Sequence, residues 1–571
     1  MQAEAVLPKP WHKHWPEGVP KSIEYPDVPV DELLRRTAEA HPDWPAMRFY
    51  GKQVSYRELD DRADRFAAGL RRIGVKRGDR VSLLLPNTPH FFIAFFGILR
   101  AGAVVVQTNP LYTARELEEL YKDAGVETVV LMDIFWPNLG KAKPRTPVKR
   151  VVICDVAEFL RTPLRQLYPI RRRGDLKKQN HWPLGIPTEP WVHRYPELVA
   201  QPGAPGDRPP VDPKTDVAVL QYTGGTTGTP KGAMLTHRNL VANALQADAW
   251  LPKSDTQERF LGVIPLFHVY GLTTAMTGPV AVGAEVILHP NPREIKPILK
   301  LINKTKPTVF PGVPTMYIAI LRHPKVSKYD LRSIKACISG SAPLPNEVRH
   351  EFEKVTGGKL VEGFGLTEAS PITHANPLLG LIKEGIGMPF PDTDSKIVDM
   401  EDATKDLPQG EVGELAVAGP QVMKGYWNKP SETAGVLKDG WLLTGDIAKM
   451  DEDGYFFIVD RKKDMILCSG YNVYPREVEE VLYMHPAIQE AAAIGVPDPY
   501  RGESVKAFVV LKAGATATAE DVIAFCKDKL APFKVPKQVA FEKELPKTMV
   551  GKVLRRELKE RERAKAQPAK P

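Results

Sequence analysis

The sequence predicts an α/β fold, with a large N-terminal α/β domain and a small C-terminal α+β domain. A chain of 571 residues is too long for a single hydrophobic core, so at least two domains are expected. Its first part alternates helical and strand patterns, which is typical of a wound sheet. Past residue 463 an α+β pattern follows over a length that suits a small separate domain. We therefore predict domains at 1–460 and 461–571, joined by a short charged segment that can act as a hinge.

The first predicted elements alternate along the chain. A capping box begins a helix, with Ser55 bonding to the backbone and Glu58 reaching back, and the apolar positions of this helix recur at helical spacing over 59–70. A buried strand at 81–85, a helix at 91–99 and a strand at 103–107 follow. This alternation predicts parallel strands with helices packed on them.

The strongest chemical signal is the run Tyr-Thr-Gly-Gly-Thr-Thr-Gly-Thr-Pro-Lys-Gly at 222–232. Glycines let backbone N–H groups approach an anion, and hydroxyls and a lysine add donors and charge. A strand at 217–220 and a helix at 235–250 flank the run, so it is predicted to lie where α/β sheets bind ligands. The Walker A spacing is absent, and a plain surface turn is the alternative. The candidate phosphate-binding residues are Thr223, Gly224, Gly225, Thr226, Thr227, Gly228 and Lys231.

The formal net charge of +9 is spread unevenly. Basic residues far outnumber acidic ones over 141–178, where Leu160, Leu164 and Leu167 interleave with arginines. This pattern favours a peripheral membrane contact over nucleic acid, and a solvated face is the alternative. No recognised nucleic-acid module accompanies the run, so no nucleic-acid partner is expected.

The cysteines and the apolar runs bear on the cellular compartment. The four cysteines lie far apart without a CxxC pair, so neither a disulfide framework nor a zinc site is expected. Residues 1–15 lack the apolar core of a signal peptide. The apolar run at 91–99 is too short to span a bilayer. We expect a cytoplasmic protein, or one peripheral at the inner membrane face.

The middle of the chain continues the alternation. The proline-rich stretch 183–213 is predicted to be an extended surface connection. Strands are predicted at 285–288 and 308–310, and a helix at 314–321. His268 lies among aromatic residues, where a lone histidine is more often packed or capping than catalytic.

Two further segments carry binding chemistry. A strand ends in small residues at 338–344, a turn on which a planar ring could lie against backbone. In the second segment, Phe364 can stack on a purine, while Thr367 and Glu368 offer the hard oxygen donors that Mg²⁺ takes. Read alone, Glu368 is a solvated carboxylate.

The C-terminal part begins with a helix after Tyr474 and Pro475. Strands at 490–494 and 505–511 and a helix at 519–530 follow. Gly551 frees the backbone beside Lys552, although composition alone makes that lysine one of many on the surface. The tail beyond Glu562 is predicted to be disordered.

The run at 222–232, with Met-Leu-Thr-His-Arg-Asn at 234–239, resembles the AMP-binding signature of adenylate-forming enzymes. This superfamily includes acyl-CoA synthetases, peptide-synthetase adenylation domains and luciferases. The resemblance extends over about 30–560, and over 440–475 and 545–558 it is similar to bacterial long-chain-fatty-acid:CoA ligases. It implies a large N-terminal α/β domain and a mobile C-terminal domain.

The resemblance also implies roles for residues. It places His268 near an acyl carboxylate, makes Lys552 and Glu368 catalytic, and makes Lys463 the hinge. Mg²⁺ would be held by Thr227 and Glu368. Besides the phosphate-loop residues, the implied ATP-binding residues are Gly340, Ser341, Ala342, Glu362, Gly363, Phe364, Gly365, Thr367, Asp446, Ile458, Arg461 and Lys552. This chain departs from the pattern at Phe364, where Tyr is usual, at Leu443, where His is common, and at Leu467, where Lys or a polar residue often stands.

The implied reaction joins a fatty acid to coenzyme A at the expense of ATP, through an acyl-adenylate. One alternative is a stand-alone adenylation enzyme that loads another carboxylic acid onto a carrier protein. A second is an acyl-AMP ligase, which commonly carries an insertion before the hinge that is not apparent between Asp446 and Asp460. A third is a non-catalytic nucleotide-binding or membrane-adaptor protein. Acyl chain length and assembly, for which a homodimer is one candidate, are not readable from the sequence.

Overall fold

The computed structural model describes residues 9–178, 184–203, 208–223, 230–468, 471–498, 500–548 and 551–566. The helices are α1 (Asp31–Ala40), α2 (Tyr56–Arg72), α3 (Pro89–Arg100), α4 (Ala114–Ala124), α5 (Trp136–Ala142), α6 (Leu164–Lys178), α7 (Tyr195–Val199), α8 (His237–Trp250), α9 (Val269–Leu272), α10 (Gly278–Ala281), α11 (Ile295–Thr305), α12 (Pro314–Leu321), α13 (Asn346–Thr356), α14 (Pro430–Val436), α15 (Pro475–Tyr483), α16 (Ala519–Lys527) and α17 (Arg555–Ala566).

The strands are β1 (Pro45–Phe49), β2 (Lys52–Ser55), β3 (Arg80–Leu84), β4 (Val104–Gln107), β5 (Val126–Met132), β6 (Arg150–Cys154), β7 (Val192–Arg194), β8 (Val217–Thr223), β9 (Lys231–Thr236), β10 (Arg259–Gly262), β11 (Glu285–Leu288), β12 (Val309–Gly312), β13 (Ala336–Ser339), β14 (Lys359–Gly365), β15 (Ile372–Ala375), β16 (Met388–Pro389), β17 (Asp394–Val398), β18 (Gly413–Ala418), β19 (Gly425–Tyr426), β20 (Leu437–Lys438), β21 (Trp441–Met450), β22 (Phe456–Arg461), β23 (Ile466–Cys468), β24 (Tyr471–Val473), β25 (Ile488–Asp498), β26 (Gly502–Leu511) and β27 (Gln538–Phe541).

Two large sheets organise the first two thirds of the chain. The first has nine strands in the order β16-β15-β14-β13-β12-β10-β11-β1-β2, and the second has eight in the order β19-β9-β8-β4-β3-β5-β6-β7. Both have a parallel middle and antiparallel strands at an edge. The α/β prediction is confirmed.

Helix α3 is buried along its whole length of 12 residues. A helix that is apolar on nearly every face must be covered on every side. Helix α2 packs against α3 through the apolar stripe that begins after Ser55. Ser55 caps α2 by accepting a hydrogen bond from the N–H of Glu58, as predicted, while the Glu58 carboxylate pairs with Arg62.

Two smaller sheets complete the fold, one built from strands up to Arg461 and one from strands that follow it. Strands β17, β18, β21 and β20 form a third sheet, and β22 pairs with β21. The fourth sheet has the order β24-β23-β26-β25, with β27 on β26, and it is packed by α15 and α16. The predicted strands and helices of the C-terminal part are confirmed.

Two predictions about irregular segments were wrong in part. The stretch 183–213 contributes strand β7 to the edge of the second sheet and helix α7, whose Tyr195 and Leu198 are buried. Tertiary packing of these two side chains overrides the proline-rich composition. The tail beyond Glu562, predicted to be disordered, begins as the end of helix α17, which continues to Ala566, and Lys506 pairs with Glu562; residues 567–571 lie outside the described residues.

Within the described ranges, every helix is either too short or too polar to cross a bilayer.

Candidate active site

The predicted phosphate loop connects two antiparallel strands, β8 and β9. Thr223 and Lys231 face each other across this hairpin, and the Thr223 hydroxyl donates to the Lys231 carbonyl at 3.5 Å. The sequence prediction placed a helix directly after the loop, but β9 intervenes and helix α8 begins only at His237. The α8 N-terminus therefore does not adjoin the loop. Gly224, Gly225, Thr226, Thr227 and Gly228 lie outside the described residues.

Lys231 is held by two residues that the sequence analysis did not single out. Its ammonium pairs with the carboxylate of Glu432 on α14 and lies 5.2 Å from the ring centroid of Tyr426 on β19. Strand β19 pairs with β9, which brings these residues to the loop. Only the run Gly-Tyr-Trp at 425–427 could have signalled them, and its meaning depends on that pairing.

Glu368 and Thr367 lie in a short turn that follows β14. The Tyr426 hydroxyl donates to one carboxylate oxygen of Glu368 at 2.6 Å, and the Met423 N–H donates to its carbonyl at 2.8 Å. Burial and the charge of Glu368 raise the pKa of Tyr426 well above its usual value, so Tyr426 is a neutral donor. The oriented carboxylate offers the hard oxygen that Mg²⁺ prefers, so the described donor fits the ion.

The small-residue turn after β13 and the middle of β14 lie side by side, since Ser339 and Glu362 are register partners. Ser341 has φ +68°, and a side chain at Gly365 would meet the Pro371 carbonyl at 2.1 Å. The close approach to Pro371 requires glycine at 365, and this residue and the small residues of the turn lie near the half-buried ring of Phe364 in a glycine-rich region that we call the flat surface. These elements bring together Gly340, Ser341, Ala342, Glu362, Gly363, Phe364 and Gly365.

Glu362 is the charged residue of this surface. It accepts a hydrogen bond from the Leu344 N–H at 3.1 Å. Burial raises its pKa to about 7, and Arg476 opposes that shift.

Asp446 and Arg461 face each other on β21 and β22. The Arg461 Nε lies 3.3 Å from a buried carboxylate oxygen of Asp446. Burial raises the pKa of Asp446, while the Arg461 and Lys552 cations oppose that shift. Ile458 lies on the same strand as Arg461, and its carbonyl accepts from Arg476 at 2.8 Å. A carboxylate and a guanidinium so placed can bind vicinal hydroxyls.

Lys552 reaches this site from the C-terminal part of the chain. Gly551 has φ +76°, and a side chain there would meet the hydroxyl of Thr315 on α12 at 2.4 Å. Glycine thus permits the loop to press against the N-terminal part. Burial and the Arg461 cation lower the pKa of Lys552 to about 7, and Asp446 opposes them.

His268 caps α9, because its Nδ1 accepts from the Tyr270 N–H at 3.3 Å. Burial and the nearby Lys552 cation lower its pKa to about 4. The imidazole is therefore neutral with its proton on Nε2, a donor suited to a carboxylate. His268 thus both caps α9 and experiences the charge of Lys552.

Lys463 lies between two anchored neighbours. Lys462 donates to Glu414 at 2.8 Å and to the Met400 carbonyl at 2.6 Å, both in the N-terminal part. Asp464 pairs with Arg555 at 3.4 Å, in α17. Burial and the Arg461 cation lower the pKa of Lys463 to about 8.

The site thus unites a loop lysine, an oriented carboxylate, a flat backbone surface and a cluster of cations around Asp446. This arrangement can bind a nucleotide triphosphate beside a carboxylate. Residues 34–427 match the AMP-binding enzyme family, and residues 477–552 match the AMP-binding enzyme C-terminal domain.

Curated relatives are similar over almost the whole chain. A long-chain-fatty-acid–CoA ligase of Bacillus subtilis is 50% identical over 559 residues, 97% of this chain and 98% of that protein. A ligase of the same name from Salmonella typhimurium is 41% identical over 98% of this chain and 99% of its own length.

Solved structures share the architecture. An anthranilate CoA ligase in complex with anthranoyl-AMP superposes with a TM-score of 0.83 at 26% identity, covering 95% of this chain and 98% of that one. A benzoate CoA ligase from Burkholderia xenovorans gives 0.79 at 28% identity, with 93% and 100% covered. The chain therefore belongs to the AMP-binding enzyme family, with both its large domain and its C-terminal domain.

Proposed function

We propose that this protein ligates a long-chain fatty acid to coenzyme A in two steps through an acyl-adenylate. The observation that carries the proposal is the placement of the Lys552 loop: Gly551 packs against Thr315 of the N-terminal part, and the Lys552 charge acts on both Asp446 and His268. The choice of fatty acid rests on the names of the relatives that are similar over nearly the full chain.

In the first step the fatty acid carboxylate attacks the α-phosphate of ATP, and pyrophosphate leaves. Both reactants are anionic, so the site must offset their repulsion and hold them in place. Lys552 bridges the carboxylate and the α-phosphate, and His268 donates to the carboxylate. Lys231 and the loop residues receive the β- and γ-phosphates. Mg²⁺, held by Glu368 and Thr227, would supply further positive charge there.

The nucleoside part of ATP binds on the flat surface. The aromatic face of its adenine stacks on the Phe364 ring. The turn Gly340–Ala342 and Glu362 lie beside the base. Its ribose hydroxyls contact Asp446 and Arg461, with Ile458 next to them. Phe364 supplies stacking alone, because it lacks the phenol of the tyrosine usual at this position.

In the second step the thiol of coenzyme A attacks the acyl-adenylate, and AMP leaves. Lys552 has no task in this step, so it can leave the site. The C-terminal domain, 461–571, then rotates relative to 1–460 and admits the thiol. Lys463 is the proposed pivot, supported by its anchored neighbours Lys462 and Asp464.

The proposal is tested with fatty acids of increasing chain length, each offered with ATP, Mg²⁺ and coenzyme A. We expect AMP, pyrophosphate and acyl-CoA in equal amounts, with long chains preferred. Acyl-AMP that accumulates without thioester would instead indicate a carrier-loading enzyme or an acyl-AMP ligase. Absence of pyrophosphate with every acid would overturn the enzymatic proposal.

The pKa of Lys552 predicts a pH dependence. The amine is an ammonium below about pH 7 and neutral above it in the nucleotide-free protein. Because kcat/KM follows the free enzyme, we expect kcat/KM for ATP to fall above pH 7, approaching about tenfold per pH unit. Bound phosphates raise the pKa, so kcat should persist to higher pH. Initial rates from pH 6 to 9.5 measure both parameters. In Lys552→Arg the charge persists at high pH, so the fall of kcat/KM above pH 7 should be absent. If this variant retains the fall, the titration belongs to another group.

We also propose that α6 contacts an anionic bilayer. Its side chains Leu164, Leu167 and Ile170 are 49%, 55% and 73% exposed and follow one another at helical spacing. Exposed basic residues, such as Arg165, lie beside them. Arg172 fastens α6 to the second sheet through Asp133 and Asp155, which supports a fixed docking face.

Replacing Leu164, Leu167 and Ile170 together with serine should weaken cosedimentation with phosphatidylglycerol vesicles about tenfold or more, because buried CH₂ groups are lost. The matched control replaces the exposed apolar residues Leu379, Leu381 and Val412 with serine. Equal binding by the α6 variant and the wild type, or an equal loss in the control, would contradict the contact.

A further inference from the structure

We propose that Glu432 is a positioning residue that holds Lys231 until a triphosphate displaces it, and that recaptures Lys231 when pyrophosphate leaves. This inference rests on the proposed function, because it assigns Lys231 to the β- and γ-phosphates. It adds a carboxylate that competes with the substrate for one ammonium group.

The starting observation is a chain of four side chains at the exit of the phosphate loop. Glu432 pairs with the Lys231 ammonium, which lies 5.2 Å from the Tyr426 ring centroid. The Tyr426 hydroxyl donates to Glu368 at 2.6 Å. One carboxylate, Glu368, is thus oriented by a neutral phenol, while the other neutralises the loop lysine.

The backbone of Glu432 is held in place by contacts of its neighbour Thr433, which do not involve Lys231. The Tyr426 N–H donates to the hydroxyl of Thr433 at 2.9 Å, and that hydroxyl donates to the Lys429 carbonyl at 2.9 Å. A side chain at Gly425 would lie 2.7 Å from Thr433, so α14 packs closely on β19. Because β19 pairs with β9, the backbones of Glu432 and Lys231 are held on adjoining elements.

The electrostatics make the pair exchangeable. The side chains of Lys231 and Glu432 are 22% and 39% exposed, so water screens their attraction and can solvate Glu432 once it is released. A triphosphate carries more charge and several acceptor oxygens, so it outcompetes one carboxylate for the ammonium. The displaced carboxylate then lies near the bound phosphates and repels them. This repulsion favours release of pyrophosphate after adenylation.

Glu432→Gln removes the competing charge at nearly constant shape. We expect KM for ATP and the dissociation constant of magnesium pyrophosphate each to fall about two- to fivefold, the range of a partly exposed ion pair. The dissociation constant of AMP, which lacks β- and γ-phosphates, should not change. Calorimetric titration with magnesium pyrophosphate and with AMP measures both constants without turnover.

A double-mutant cycle with Lys231→Gln separates the specific pair from a general effect of charge. In the Lys231→Gln background, Glu432→Gln should leave pyrophosphate affinity unchanged. Glu347→Gln, an exposed glutamate in the first turn of α13, is the matched control and should have no effect. Glu432→Asp retains the charge and should restore most of the competition.

Three results would overturn the inference: weaker or unchanged pyrophosphate binding in Glu432→Gln, an equal shift in AMP affinity, or the same gain of affinity without Lys231. Failure of the proposed function is a separate outcome. It would appear as absent acyl-CoA formation in the wild type, whereas these titrations report on phosphate binding alone.

Discussion

Lys552→Ala is expected to slow acyl-adenylate formation by at least about 10²–10³-fold, the cost of removing one contact that stabilises developing charge. The Lys552 charge acts on both Asp446 and His268, so we expect its loss to leave the carboxylate and the α-phosphate to repel each other. Single-turnover release of pyrophosphate, with fatty acid and ATP but without coenzyme A, measures this step.

The second half-reaction provides the contrast. Preformed acyl-AMP and coenzyme A should react at a nearly unchanged rate in Lys552→Ala. In this step the α-phosphate is no longer attacked, so its charge needs no stabilisation by Lys552. Lys547→Ala is the matched control, since Lys547 lies in the same segment but pairs with Glu490 at 2.5 Å. An equal loss in both half-reactions would place Lys552 in folding or docking instead of in adenylation.

Lys463→Pro is expected to slow thioester formation far more than acyl-AMP formation. Proline fixes φ at its own position and restricts the residue before it. Lys462 is anchored to Glu414 and Asp464 is anchored to Arg555, so rotation between the two parts must occur at the intervening residue. In the structure the loop that carries Lys552 already packs against the N-terminal part, where Gly551 meets Thr315, so we expect adenylation to tolerate a stiff residue at position 463.

The two half-reactions, measured separately by single-turnover kinetics, test this expectation. Lys463→Ala removes the charge and retains the backbone freedom, and it should retain most of the thioester activity. Equal losses in the two steps of Lys463→Pro would refute the hinge role. The same selective loss in Lys463→Ala would assign the effect to the ammonium.

Local patterns predicted most of the secondary structure. The apolar runs of β3, β4 and β11 and the stripe of α2 have periods that local sequence displays directly. Helix α12 was predicted with its observed bounds. The prediction was wrong at α7, where tertiary packing overrides composition. It was also wrong at the start of α8, because the short strand β9 intervenes between the loop and the helix.

The candidate site was predictable only as a set of residue types. The loop composition around Lys231 indicates its chemistry without a structure, whereas the roles of Glu368 and Lys552 came from the resemblance to adenylate-forming enzymes. The partners Tyr426 and Glu432 were missed, because the one local signal, the run Gly-Tyr-Trp at 425–427, has meaning only once β19 pairs with β9.

The sequence by itself determined most of the elements and the family, because hydrophobic period, glycine content and charge are local properties, and it supplied the proposal of a phosphate-binding loop. Only the tertiary structure decided which anion Lys231 meets, which donor orients Glu368, and that the loop of Lys552 packs against Thr315. These contacts join distant segments, and their geometry follows from how four sheets pair and pack, which no local preference encodes.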